Sequence, residues 1–210
     1  MIGVTIGVGR PYREMAELAA ESVRKWTGLE VHVVTNTRDC QPAKYKLCLL
    51  EQYDQTVFYF DADTRMIGPW PEIASYEGKA EFFASLHAVT NASVFDCQQH
   101  GLDHKRYFYS GLWFANRKYH GVAFRAAYEL CHSDDYNTAF QYEQTALNVA
   151  VQRYDIPFEP IPWERHVVCD NDNAGRVAEA TSMLHIAGGH LQGVNRRIFE
   201  REILRRERCN

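Results

Sequence analysis

Apolar and polar positions along the first sixty residues predict strands and helices in alternation. Apolar and small residues at 2–8 and 31–35 predict two strands. Between them, apolar residues over 12–26 recur every three or four positions, as on one face of a helix. A second helical stretch at 44–53 precedes 56–60, whose β-branched and aromatic side chains favour a strand covered on both faces. This order predicts an α/β fold, a single Rossmann-like domain with a mostly parallel central sheet flanked by helices.

The rest of the chain is less regular but continues to alternate strands and helices. We expect about 1–65 to form a nucleotide-binding half and about 66–210 an acceptor and sugar half of one domain over 1–210. Prolines at 157 and 162 place the strand between them at an edge of the sheet. The remaining predicted elements are strands at 81–87, 107–116, 156–161 and 182–186, and helices at 118–132, 142–153 and 195–208.

Composition removes several classes of protein from consideration. The net charge of −4 argues against a dedicated nucleic-acid binder. No apolar run approaches the roughly 20 residues that span a bilayer, and the first residues lack the basic start of a signal peptide. The six cysteines are scattered without a Cys-x-x-Cys pair, which is typical of reduced thiols. We therefore expect a cytoplasmic protein without a membrane span.

Two carboxylates directly follow the predicted strand at 56–60. Alternation along an extended chain aims Asp61 and Asp63 to one side, with Ala62 opposite. Two such oxygen donors repel each other unless a cation lies between them, and Mg²⁺ and Mn²⁺ prefer carboxylate and phosphate oxygens. The carboxyl end of a strand in an open α/β sheet is also where ligands bind. Asp is common in turns and at helix N-caps, so a purely local role is the alternative.

Several short motifs follow one another along the chain in a characteristic order. Together they resemble the GT-A class of nucleotide-sugar glycosyltransferases, particularly its retaining, glycogenin-like and galactosyltransferase-like groups, and within the class the small domains that chlorella viruses encode. The resemblance covers most of the chain. The motifs are the opening strand with Tyr12, Lys44-Tyr45-Lys46-Leu47, Phe60-Asp61-Ala62-Asp63, Tyr109-Ser110-Gly111-Leu112-Trp113-Phe114-Ala115-Asn116, Glu143-Gln144-Thr145-Ala146-Leu147-Asn148 and His185-Ile186-Ala187-Gly188.

The resemblance implies a donor-binding site. The opening strand and the residue after it would hold the nucleobase, the lysine motif would contact donor groups, and the serine would lie beside the sugar. The family's Lys-Pro-Trp after His-x-x-Gly is absent, and Gly189-His190-Leu191-Gln192 stands there instead, so His190, Arg196 or Arg197 would meet the diphosphate. The expected donor-binding residues are Thr5, Gly7, Tyr12, Lys46, Asp61, Ala62, Ser110, Gly188 and His190.

The resemblance also implies a metal site and two catalytic residues. Asp61, Asp63 and His185 would hold Mn²⁺ or Mg²⁺ against the diphosphate of the donor. Glu143 would bind sugar hydroxyls, and Gln144 would steady positive charge at the anomeric carbon through its amide oxygen. Each residue also has a structural alternative. His185 suits the end of a strand, and the Glu143–Gln144 pair suits the first turn of a helix.

The expected reaction is transfer of a hexose from a UDP-sugar, UDP-glucose or a related donor, to a glycan or a protein-linked acceptor. Retention of configuration is implied by the resemblance alone, and the segment 91–107 is a candidate acceptor-side lid. One alternative is a haloacid-dehalogenase-type phosphatase, which also places Asp-x-Asp after a strand; its pattern requires Thr or Val where Arg65 stands here. A non-catalytic domain that binds nucleotide-sugars is the other alternative.

Overall fold

The computed structural model describes residues 1–38, 40–133, 136, 142–168, 174–186 and 200–205. The fold is α/β: a mostly parallel central sheet of six strands is flanked by helices, as the sequence predicts, and a second sheet has three strands. The strands are β1 Ile2–Ile6, β2 Val31–Val34, β3 Val57–Phe60, β4 Thr64–Met66, β5 Phe82–Leu86, β6 Phe108–Ala115, β7 Phe158–Pro160, β8 His166–Val168 and β9 Met183–His185.

Five α-helices are assigned within the described residues. They are α1 Arg10–Thr27, α2 Pro42–Tyr45, α3 Asn91–His100, α4 Arg117–Leu130 and α5 Tyr142–Arg153, with short 3₁₀ helices at Lys46–Glu51, Ile73–Tyr76, His104–Arg106 and Ala174–Glu179. The described residues 200–205 are also helical, within the predicted last helix. None of the helices in the described part of the chain is both long and apolar enough to cross a bilayer.

The chain divides into two compact units, each assembled from separate segments. The first unit comprises Met1–Ile2, Asn36–Tyr59 and Tyr76–Ile161, and the second comprises Gly3–Thr35, Phe60–Ser75 and Pro162–Asn210. The prediction of one domain with a nucleotide-binding half and an acceptor half stays a prediction.

In the second unit, β1 and β2 pair in parallel and α1 connects them. Small buried residues on one face of α1, Ala16, Ala19 and Ala20, allow the helix to pack closely. The helix ends at Gly28, whose φ of 69° gives the left-handed conformation that glycine adopts at low cost. The small sheet of this unit has the order β4-β9-β8, in which β4 runs antiparallel and β8 parallel to β9.

In the first unit, β5 pairs antiparallel with β6 and parallel with β7. All eight residues of β6 are buried, and aromatic rings dominate the surrounding core; Phe82, for example, packs against Phe108 and Phe124. The edge position of β7 agrees with the prediction from its flanking prolines.

Three local predictions need correction or addition. The predicted helix over 44–53 is α2 followed by a 3₁₀ helix, in which Lys46, Leu47, Leu49 and Leu50 are all buried. Four buried residues within five positions do not fit the single apolar face of an α-helix. The chain forms the tighter 3₁₀ turn here instead. Strands β4 and β8 have three residues each, too short to give a periodic signal. Helix α3 lies within the segment proposed as an acceptor-side lid.

Candidate functional site

A tight turn places the two carboxylates that follow β3. The carbonyl oxygen of Asp61 accepts hydrogen bonds from the backbone N–H of Thr64 at 3.2 Å and from its hydroxyl at 2.8 Å. Thr64 pairs with His185 across β4 and β9, and Ile186 N–H donates to the carbonyl oxygen of Asp63 at 3.1 Å. Backbone bonds therefore hold the turn beside the end of β9, which brings His185 to the two carboxylates.

Asp61, Asp63 and His185 form a cluster that offers one ligand atom each, all within 4.8 Å of one another. His185 Nε2 lies 3.1 Å from Asp63 Oδ1 and 3.8 Å from Asp61 Oδ2. The side chains are 6% exposed for His185, 12% for Asp63 and 30% for Asp61, so the cluster opens toward solvent on the Asp61 side. Two carboxylate oxygens and one imidazole nitrogen are a donor set that suits Mn²⁺ and related divalent ions. The three residues predicted as metal ligands are thus brought together.

A second histidine, His166, contacts His185 on the side of its ring that faces away from the carboxylates. His166 Nε2 is 3.2 Å from His185 Nδ1, and the two rings are nearly parallel with centroids 5.3 Å apart. Burial, together with the neighbouring His185, holds the pKa of His166 well below its usual value, so His166 is neutral. Nothing in the sequence separates this histidine from an ordinary strand residue, and the prediction of the site missed it.

A cleft of about 830 Å³ opens at the carboxyl ends of β1 and β2, beside the start of α1. Its lining residues are Gly7, Gly9, Arg10, Arg13, Glu14, Glu17, Leu18 and Thr35. This edge of parallel strands is the usual ligand-binding edge of an open α/β sheet. The start of α1 adds backbone N–H groups, which favour an anionic ligand. The charges of Arg10 and Arg13 are balanced by Glu14 and Glu17, and Arg10 Nε lies 3.2 Å from Glu14 Oε1.

Of the residues predicted to bind the donor, Gly7 alone among the described ones is part of the lining of this cleft. Gly7 lines the cleft, Thr5 is fully buried within β1, and Tyr12 is half-exposed in the first turn of α1. The Thr5 hydroxyl has no hydrogen-bond partner among the described residues. Ala62 is buried between the two carboxylates. Direct contact of these residues with a nucleotide remains a prediction, and Gly188 and His190 lie outside the described residues.

The first unit contains a separate buried polar cluster around Lys46. The Lys46 ammonium lies 2.8 Å from Glu143 Oε1 and 3.2 Å from the Ser110 hydroxyl, and it sits 5.3 Å from the centre of the Tyr59 ring. Ser110 Oγ also donates to Glu143 Oε1 at 3.0 Å. Lys46 is 3% exposed, so it is not the solvated helix lysine that the sequence left open as an alternative. Its predicted contact with the donor is untested.

Helix α5 is joined to β6 by two amide side chains. Gln144 Oε1 accepts from Ser110 N–H at 3.0 Å, and Asn148 bonds both the N–H and the carbonyl oxygen of Phe108 at 3.0 Å. Gln144 is buried and the side chain of Glu143 is 12% exposed, so these two residues are not the solvated first turn that the sequence left open as an alternative. The predicted action of the Gln144 amide oxygen at the anomeric carbon remains untested, and in this structure the oxygen holds strand β6.

Two solved structures share this fold. WbbM, described as a bifunctional glycosyltransferase, aligns with a TM-score of 0.64 and 13% identity over 90% of this chain, which corresponds to 46% of the WbbM chain. A glycosyltransferase involved in glycosylation of the major capsid of PBCV-1 aligns with a TM-score of 0.62 and 11% identity, covering 96% of this chain and 99% of that one. This chain therefore spans about half of WbbM but almost all of the second protein, and the likeness establishes the fold.

Comparisons by sequence give no such match. No model of a known protein family matches the chain, and no curated protein is similar to it at a significant level. The shared fold is therefore seen in three dimensions and not in overall sequence similarity.

Proposed function

We propose that this protein is a metal-dependent glycosyltransferase of the GT-A class, which moves a hexose from a UDP-sugar to a glycan or protein-linked acceptor. The observation that carries the proposal is the cluster of Asp61, Asp63 and His185 in a fold shared with two glycosyltransferases. The fold alone does not define an activity, because one fold supports many reactions. The cluster adds two carboxylates and an imidazole that could hold a divalent ion, whose charge would offset that of the diphosphate of a nucleotide-sugar.

The cleft beside α1 is the proposed site for the nucleotide part of the donor. The start of the helix suits a phosphate group, and the volume of about 830 Å³ is ample for a nucleotide. The cleft belongs to the second unit, as does the metal cluster. We assign Thr5, Gly7 and Tyr12 to this end of the donor.

Asp61, Asp63 and His185 are the residues that would hold Mn²⁺ or Mg²⁺. When bound, the ion supplies positive charge that stabilises the departing diphosphate. The carboxylates contribute two hard oxygen donors, and His185 contributes Nε2, which already faces both of them. His185 must be neutral to offer that lone pair. The same distances would also fit an ion pair between a protonated His185 and Asp63. A metal titration distinguishes this ion pair from a metal site.

The proposed transfer occurs with retention and uses the buried cluster of the first unit. Glu143 is assigned to sugar hydroxyls, and Gln144 to the anomeric carbon. The observation that supports the role of Glu143 is its burial beside Ser110, where Lys46 fixes its carboxylate. The role of Gln144 is proposed from the resemblance in motif order. A carboxylate held in one orientation binds a hydroxyl with less loss of entropy than a mobile one. UDP-glucose or a related hexose donor is the proposed substrate.

The direct test of this function is release of UDP from a panel of UDP-hexoses, with candidate acceptors and with Mn²⁺ or EDTA. We expect Mn²⁺-dependent UDP release that Asp61→Asn and Asp63→Asn abolish, and a product that nuclear magnetic resonance shows to keep the donor's anomeric configuration. An inverted product would contradict retention alone. Tight UDP binding without turnover across the panel would favour a non-catalytic binding domain, and phosphate release from a phosphomonoester, abolished by Asp61→Asn, would favour the phosphatase.

A further inference from the structure

His166 and His185 are diagonal neighbours on one face of the small sheet in the second unit. Strands β8 and β9 run parallel with His166 opposite Met183 and Val168 opposite His185. Residues 183 and 185 point to the same face of β9, so His166 lies two positions from His185 along that face. Side chains at such a spacing contact each other when they are long or aromatic. The contact is therefore fixed by strand register.

The contact is made through a particular pair of ring nitrogens. His185 turns Nε2 toward Asp63 and Asp61, and it turns Nδ1 toward His166 Nε2 at 3.2 Å. An imidazole that binds a metal through one nitrogen carries its proton on the other. For an ion bound at Nε2, that proton lies on Nδ1, and His166 Nε2 is placed to accept it. His166 is 3% exposed, so water does not readily replace it as the acceptor.

We propose that His166 is a positioning residue for the metal site: its Nε2 accepts the Nδ1–H of His185, which fixes the ring of His185 and leaves the Nε2 lone pair directed at the carboxylates. This inference rests on the proposed metal site, because only an ion at Nε2 requires that tautomer. His166 itself touches neither the ion nor the donor. Its effect is on how strongly the ion is held and through which ligands.

The test is a Mn²⁺ titration followed by electron paramagnetic resonance, which reports the free hydrated ion, on wild type and two His166 variants. His166→Phe keeps an aromatic ring at this position but removes the nitrogen that accepts the hydrogen bond. His166→Gln places an amide oxygen near the position of Nε2 and keeps the acceptor. We expect His166→Phe to weaken Mn²⁺ binding by about tenfold or more, the usual effect of losing a partner behind a ligating histidine, and His166→Gln to stay closer to wild type.

A second readout distinguishes positioning from a merely structural role. Bound Mn²⁺ shows a nitrogen modulation in electron spin echo spectra when an imidazole is a ligand. We expect the modulation in wild type and His166→Gln, and a weakened or altered modulation in His166→Phe. His166→Asn is a second variant without the acceptor, because its shorter amide does not reach the position of Nε2. Comparing it with His166→Gln tests the hydrogen bond without placing an apolar ring in the core. Melting temperatures without metal report the stability of every variant.

The matched control is His120→Phe, which changes another buried histidine. His120 lies in the first unit and bonds Ala80 and Asn116, so its replacement should leave Mn²⁺ affinity unchanged. Equal Mn²⁺ affinity and equal nitrogen modulation in wild type and His166→Phe would overturn the inference while leaving the metal site intact. Absence of Mn²⁺ binding in wild type would overturn both the inference and the proposed metal site.

Discussion

The buried ammonium of Lys46 is paired with the carboxylate of Glu143. Glu143 Oε1 is 2.8 Å away and its side chain is only 12% exposed, and Ser110 and Tyr59 also lie beside the ammonium. Removing one partner of a buried ion pair leaves the other charge without compensation, which costs far more than the pair contributes. This single contact therefore matters to stability as well as to any role in transfer.

We predict that Glu143→Ala lowers the free energy of unfolding by about 3 kcal/mol. It should also reduce transfer more than roughly tenfold while leaving UDP affinity nearly intact, because the metal ligands and the cleft are unchanged. Urea unfolding, turnover and calorimetry measure the three effects. The control Glu51→Ala breaks an exposed pair with Arg125 and should change stability by less than about 0.5 kcal/mol. A Glu143→Ala variant with wild-type stability and turnover would contradict both roles.

The cysteines give a second prediction for individual residues. Cys40, Cys48, Cys97 and Cys131 are free thiols, in agreement with the expectation of reduced cysteines for this described part of the chain. Burial raises the pKa of Cys48 and of Cys97 to about 11 and that of Cys131 to about 12. The reactive thiolate forms above the pKa, so all three thiols are protonated at neutral pH and gain reactivity only as the pH rises.

Alkylation by iodoacetamide at pH 8, mapped by mass spectrometry, tests this. We expect these three cysteines to be labelled slowly in the native protein and fully after unfolding in urea, with native labelling faster as the pH is raised. Rapid native labelling at pH 8, or a disulfide-linked peptide containing any of the three, would contradict the raised pKa of these thiols.

Among the elements, α1 and β1 meet at Gly7. A Cβ added there would lie 2.5 Å from the carbonyl oxygen of Tyr12 and 2.7 Å from Ala16 Cβ, so any side chain displaces the helix. The same helix start borders the cleft proposed for the nucleotide. Close packing of this turn therefore shapes the cleft.

We predict that Gly7→Ala destabilises the fold by about 1–3 kcal/mol, the usual cost of overpacking, and weakens UDP binding. Thermal unfolding and calorimetry measure the two effects. Gly121→Ala in α4 is the matched control, since the nearest atom to its added Cβ is Arg117 Cγ at 3.6 Å and glycine inside a helix costs up to about 1 kcal/mol relative to alanine. It should be neutral or stabilising. A Gly7→Ala variant as stable as wild type would show that α1 shifts at no cost.

The long elements could be predicted from the sequence, whereas two of the short strands, β4 and β8, could not. The buried residues of α1 and α4 agree with one helical period, and β6 is an aromatic-rich run buried throughout, so the boundaries of all three are within a few residues of the prediction. Strands β4 and β8 have three residues each and exist through pairing with β9, a long-range contact that local pattern does not contain. His166 belongs to β8, which is why the sequence did not indicate it.

The candidate site divides in the same way. Asp61 and Asp63 follow a strong strand and carry a local chemical signal, whereas the approach of His185 depends on the pairing of β4 with β9. The resemblance in motif order predicted His185 as a metal ligand. The residue pattern alone predicts only that it lies at the end of a strand. The partners of Lys46 lie 64 and 97 positions further along the chain, at Ser110 and Glu143, and no spacing rule links them.

At the scale of the whole molecule, protein contacts hold the small sheet of the second unit together. The small sheet of the second unit is joined by backbone pairing, and a cluster of buried residues packs against it, among them Ile67, Val167, Leu184 and Ile186. The proposed metal ligands lie at one end of this sheet. Because protein contacts join the sheet, we expect the proposed ion to serve the donor and not the fold.

We predict that EDTA leaves the far-ultraviolet circular dichroism spectrum and cooperative unfolding unchanged. Mn²⁺ with UDP should raise the melting temperature, because a ligand at one hundred times its dissociation constant stabilises the native state by about 2.7 kcal/mol. Differential scanning calorimetry in EDTA and in Mn²⁺ with UDP makes the comparison. Loss of secondary structure in EDTA would show that the ion is structural.

Calorimetric titration of UDP, with and without Mn²⁺, on wild type and Asp63→Ala tests the donor and metal site most directly. We predict micromolar binding by wild type, about −8 kcal/mol, that disappears when either Mn²⁺ or the Asp63 carboxylate is removed. A melting curve of Asp63→Ala in EDTA serves as the control for its folding. Absence of binding by wild type, or binding that is indifferent to both metal and Asp63, would contradict a metal-dependent UDP-sugar site at Asp61, Asp63 and His185.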